Sequence, residues 1–71
     1  MKVIRDKVDF RVRFICQTDK AVKVDLDGKE YWIPDSQIDE DSEVYVGCSL
    51  DEYEKCTLVC SEWIAITKEM V

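Results

Sequence analysis

The stretch from Lys20 to Ile38, KAVKVDLDGKEYWIPDSQI, limits the fold more than any other part of the chain. Val22, Val24 and Leu26 alternate with Lys23 and Asp25, the period-two pattern of a half-buried strand. Asp27-Gly28 then supplies two residues that tolerate positive φ, as a type I′ turn requires. Tyr31, Trp32 and Ile33 suit a returning strand, and Pro34, which has no amide hydrogen, suits its end or an edge. The stretch reads as a tight β-hairpin followed by a stop.

Register decides which side chains share a face, because a slip of one residue turns all of them over. With Asp27-Gly28 as a two-residue loop, Leu26 faces Lys29, Val24 faces Tyr31 and Val22 faces Ile33. Trp32 then lies on the opposite face, across from Lys23. With a three-residue loop ending in Gly28, Asp25 faces Lys29 and Trp32 faces Val22. The first register matches apolar residues across the pair and is preferred. Under it Trp32 is either covered by a second layer or exposed for a ligand or partner.

Upstream, Lys7 to Cys16 alternates strongly. Val8, Phe10, Val12, Phe14 and Cys16 point one way; Asp9, Arg11, Arg13 and Ile15 point the other. Met1 to Arg5 either extends this strand or forms a short one of its own. Gln17-Thr18-Asp19 is a polar connector. Downstream of Pro34, Asp35 or Ser36 caps one helical turn that Ile38 pins to the core. Glu43 to Val46 reads as a fourth strand, with Val44 and Val46 on one face and Tyr45 on the other, ended or bulged by Gly47. Lys55 to Cys60 reads as a fifth. Ser61 is a good N-cap for a helix over 62–69, with Trp63, Ile66 and Met70 recurring as a core-facing stripe. The expected fold is mainly β with a short C-terminal helix: a five-stranded antiparallel barrel or curled sheet, SH3-like or OB-like. An open sheet with the helix on one face is the alternative. Residues 1–71 make one domain, and edge strands that pair between copies would give a homodimer.

Charge is divided unevenly along the 71 residues, which carry a net −6. Residues 1–29 hold eight basic and five acidic side chains. Residues 35–54 hold eight acidic side chains (Asp35, Asp39, Glu40, Asp41, Glu43, Asp51, Glu52 and Glu54) and no basic one. Such a stretch is either a solvated loop or a surface for a basic partner. No apolar run is long enough to span a membrane, and the charged N-terminus does not read as a signal peptide, so a cytoplasmic location is expected.

Four cysteines and no histidine raise the question of zinc or disulfides. Cys16, Cys48, Cys56 and Cys60 contain no C-x-x-C pair. If 56–60 is a strand, its ends lie ~13 Å apart at ~3.3 Å per residue. That exceeds the roughly 7 Å limit on Cα separation for a disulfide. Free buried thiols are expected, with no metal and no cofactor. Without histidine there is no common general base, and no P-loop, dinucleotide fingerprint, zincin motif or EF-hand loop occurs. The chain does not read as an enzyme.

The pattern Lys20-Ala21-x5-Asp27-Gly28-x3-Trp32-Ile33-Pro34-x-Ser36-x-Ile38, with Ser61-Glu62-Trp63-Ile64-Ala65 near the end, resembles a group of small, largely uncharacterised proteins encoded by phages and prophages. The resemblance covers about residues 14–68. Asp35 stands where a lysine is more usual in that group, and the cysteines are peculiar to this chain. The resemblance implies a phage accessory protein, acting on host defence or phage DNA metabolism by binding.

Three functions follow as expectations. In the first, a non-catalytic binding module or inhibitor docks Asp39, Glu40, Asp41, Glu43, Tyr45, Asp51, Glu52 and Tyr53 on a basic protein surface, such as one that otherwise holds nucleic acid. In the second, a small barrel binds single-stranded nucleic acid or a nucleotide through Arg11, Arg13, Lys20, Lys23 and a stacking Trp32. The third is a structural or oligomerising module.

Overall fold

The computed structural model describes residues 6–71, so the reading of Met1 to Arg5 as strand lies outside the described residues. Four antiparallel strands form an open sheet: β1 (Lys7–Gln17), β2 (Ala21–Leu26), β3 (Lys29–Pro34) and β4 (Lys55–Ser61), in the order β3-β2-β1-β4. A 3₁₀ turn (Asp35–Gln37) follows β3, and helix α1 (Glu62–Thr67) follows β4. The sheet does not close into a barrel, and of the five expected strands the fourth, Glu43 to Val46, is not formed, while the fifth is present as β4.

The hairpin takes the preferred register: Leu26 faces Lys29, Val24 faces Tyr31, Val22 faces Ile33 and Lys23 faces Trp32. Asp27 (φ 53°) and Gly28 (φ 87°) both occupy the left-handed region that the two-residue loop needs. β1 bridges the two halves of the sheet, pairing with β2 on one side and β4 on the other. A bulge at Ile15 shifts its register between Phe14 and Cys16. The extra residue reverses the alternation, so Cys16 faces Lys23 and is exposed instead of joining Phe14 in the core.

One face of the sheet carries the core. Val12, Phe14, Val22, Val24, Ile33, Cys56, Leu58 and Cys60 pack beneath Ile38, Val44, Cys48, Ile64 and Ala65. The second layer is therefore the chain from 38 to 50 plus α1. Val44 is fully buried and Tyr45 exposed, as an alternating strand would have it, yet Glu43 to Val46 is not a strand. It runs beside the outer edge of β4, and side chains replace part of the ladder. Asp39 N–H donates to the Val59 carbonyl (2.9 Å) and Glu43 N–H to the Thr57 carbonyl (2.9 Å). In return, Val59 N–H donates to Ser42 Oγ (3.0 Å) and Thr57 N–H to Glu43 Oε1 (2.6 Å). This strap satisfies the outward groups of Thr57 and Val59 and seals that edge. Among the described residues nothing pairs with the outer edge of β3.

The 3₁₀ turn begins at Pro34 with no side-chain cap, so neither Asp35 nor Ser36 serves as one. Ser61 does cap α1, its Oγ accepting from Ile64 N–H at 3.1 Å. The helix ends at Thr67, short of 69. Glu69 turns left-handed (φ 58°), and Met70 N–H donates to the Ala65 carbonyl at 2.8 Å, a Schellman closure. The expected core stripe is also rotated. Ile64 and Ala65 face the sheet, while Trp63 and Ile66 face solvent.

Candidate functional surface

The acidic segment is built as a pinned loop. Besides the strap on β4, Gln17 holds its middle: Gln17 Nε2 donates to the Cys48 carbonyl (3.0 Å), and Gln17 Oε1 accepts from Gly47 N–H. Its end is held by β1, where Phe14 N–H donates to the Glu54 carbonyl (3.0 Å) and Tyr53 N–H donates back to the Phe14 carbonyl. Arg13 adds a bond to the Tyr53 carbonyl at 3.0 Å. Chain from Asp39 to Glu54 is thus irregular in backbone but fixed in place.

The eight side chains named for partner binding separate into two groups. Asp39 is 2% exposed and faces inward, where its carboxylate accepts from Asp41 N–H (3.0 Å) and Lys7 Nζ (3.3 Å). Glu43 is exposed but engaged by Thr57 N–H and by Arg11, 3.6 Å away. Asp41 shares Lys7 with Asp39 at 3.3 Å, and its carboxylate stays open to solvent. Bonds to Asp39 and then Asp41 raise the Lys7 pKa. Glu40, Asp51 and Glu52 are exposed, with no ion pair among the described residues. Tyr45 and Tyr53 are about half exposed beside them. Burial first, then the Glu43 carboxylate and others including Glu54, pushes the Cys56 thiol up to about 11.

The residues of the nucleic-acid reading, all but Lys20, lie on the solvent face of the sheet, which borders the acidic loop where Arg11 approaches Glu43 and Arg13 holds the Tyr53 carbonyl. Arg11 and Arg13 on β1, Lys23 on β2 and Trp32 on β3 share the solvent face of the sheet, as the register requires. Lys20 does not join them; it sits in the β1–β2 turn, where its carbonyl accepts from Asp35 N–H at 2.8 Å. Trp32 is 40% exposed, with the Lys23 ammonium 5.7 Å from its ring centroid. Lys23 also pairs with Glu30 at 3.0 Å, a hydrogen bond that raises its pKa. Trp32 is therefore neither buried nor bare.

Sequence reasoning missed two features. Lys55, opposite Arg13, joins Arg11, Arg13, Asp25 and Asp27 around a shallow depression of about 470 Å³ on this face. One Asp25 oxygen there is buried without a hydrogen-bond partner. The period-two position of Lys55 was the available signal. The second feature is the exposed pair Trp63 and Ile66, whose spacing read equally well as core.

Cys48, Cys56 and Cys60 are buried free thiols, and Cys16 is an exposed one. No helix among the described residues is long and apolar enough to cross a membrane. The chain matches no protein-family model, no curated protein and no solved structure.

Proposed function

We propose that this protein is a non-catalytic binding module, of the kind small phage-encoded accessory proteins supply. It docks an acidic, tyrosine-bearing surface on a basic protein and inhibits that partner by occupying it. The observation that carries this reading is the pinned loop from Asp39 to Glu54, which displays Glu40, Asp41, Tyr45, Asp51, Glu52 and Tyr53 to solvent without a basic residue of its own. A surface already ordered before binding loses little conformational entropy on docking. Carboxylates supply charge-assisted bonds and electrostatic steering, and the tyrosines supply contact area. Asp39 is left out because its carboxylate faces inward.

The test is affinity capture from an infected bacterial host, wild type against the variant E40Q/D41N/D51N/E52Q. The reading expects a specific basic partner, held less well as salt rises and lost in the variant. Equal recovery by both forms would rule it out.

A second reading draws on Arg11, Arg13, Lys23, Lys55 and Trp32 sharing one sheet face. It makes that face a platform for a single-stranded oligonucleotide or nucleotide. Salt-sensitive quenching of Trp32 by an oligonucleotide would support it, and its absence would end it. A third reading, an oligomerising module joined through β3, predicts a dimer in sedimentation.

A further inference from the structure

Helix α1 presents two large apolar side chains that the described residues leave exposed. Trp63 is 63% exposed and Ile66 57%, three positions apart on one side of the helix. With Ser61 they line a groove of about 400 Å³ between α1 and the chain at Asp6. The groove is rimmed by Asp6 and Glu62, and Glu62 N–H donates to the Asp6 carbonyl at 2.8 Å, which holds the two walls together. Lys7 is next to Asp6, but its ammonium already answers two carboxylates, those of Asp39 and Asp41. Among the described residues, the groove is therefore lined by two large apolar side chains and two carboxylates.

We infer that this groove anchors a partner segment bearing one bulky apolar side chain flanked by lysine or arginine. The inference rests on the binding reading above and adds where the apolar contact is made. Charge complementarity selects the occupant: an apolar anchor gains from covering Trp63 and Ile66, and flanking cations meet Asp6 and Glu62. A second copy of the chain fits less well. It would bring Asp6 and Glu62 against a surface of the same sign. Two such side chains per copy also offer far less than the roughly 1,200 Å² that a stable interface buries.

The test uses the full chain with Trp32→Phe, which leaves Trp63 as its one tryptophan. The probe is a synthetic amphipathic peptide of leucine and lysine, compared with one in which glutamate replaces lysine. Binding is followed both by Trp63 emission and by calorimetry. The expected result is a saturable blue shift with the lysine peptide alone, and affinity weakened about tenfold or more by Ile66→Ser. Heat of binding without a change at Trp63 would overturn the groove and leave the acidic surface standing. No binding by either method would overturn both. An equal response to the glutamate peptide would show that charge does not select the occupant and would overturn the inference. A concentration-dependent blue shift without peptide, with a dimer in sedimentation, would give the groove to a second copy and refute the inference.

Discussion

Ser42→Ala tests whether side chains hold the acidic loop on the sheet. Ser42 is buried, and its Oγ accepts from Val59 N–H at 3.0 Å while donating to the Val44 carbonyl at 2.7 Å. Alanine fills nearly the same space but provides neither bond. An orphaned, part-buried amide costs about 1–3 kcal/mol, and a carbonyl that loses its donor costs less. The expected loss is about 2 kcal/mol, a large share of the roughly 4–10 kcal/mol typical of a chain this size. At about 4–8 °C per kcal/mol, the melting temperature falls by about 8–16 °C. Thermal and urea melts followed by circular dichroism measure this, with exposed Ser49→Ala as a control expected within about 0.5 kcal/mol of wild type. Hydrogen exchange at Val59 should accelerate more than at Phe10 in the middle of β1. A Ser42→Ala protein that melts with wild type and keeps its Val59 amide protected would show that the strap does not depend on this hydroxyl.

Four further outcomes follow. Asp39→Ala should lower stability by about 1–3 kcal/mol through the lost bond to Asp41 N–H, while capture of a basic partner, measured on the folded protein, depends instead on Glu40 and Asp41. Glu69→Gly should raise stability by about 0.5–1 kcal/mol in urea melts, because the left-handed helix terminus suits glycine. A thiol reagent should titrate one cysteine, Cys16, in the native protein and all four after denaturation. Burial pushes the thiols of Cys56 and Cys60 up to about 11 from 9.0. The unfolded chain therefore ionises first, so their contribution is intact below pH 9 and is lost as pH rises toward 11, which alkaline denaturation monitored by thiolate absorbance would reveal.

The hairpin was legible because its turn chemistry and its alternation agree. Asp27-Gly28 sets the loop length, and only one register then puts Val22, Val24, Tyr31 and Ile33 together. Where the sequence misled, one pattern served two structures. Val44, Tyr45 and Val46 alternate in burial just as a strand would, but backbone pairing is supplied by Ser42 and Glu43 side chains, which no periodicity reveals. The bulge at Ile15 leaves no mark either, since Phe14, Ile15 and Cys16 are apolar on both faces. In α1 four successive apolar residues, Trp63 to Ile66, leave the phase open. The sheet takes small Ala65 with Ile64 and turns the bulkier Trp63 outward. Of the candidate surface, the exposed acids were legible as charge, whereas the inward turn of Asp39 depends on Lys7, thirty-two positions away.

The two margins of the sheet are unlike. One is closed by the molecule's own strap, while β3 ends in open backbone whose last residue, Pro34, has no hydrogen to give. Among the described residues, a strand added from outside would therefore join at β3. Two molecules meeting there back to back would consume the one border that the described residues of each leave unguarded. Growth of that kind would halt at a pair, because the strap along β4 offers an incoming strand no free ladder.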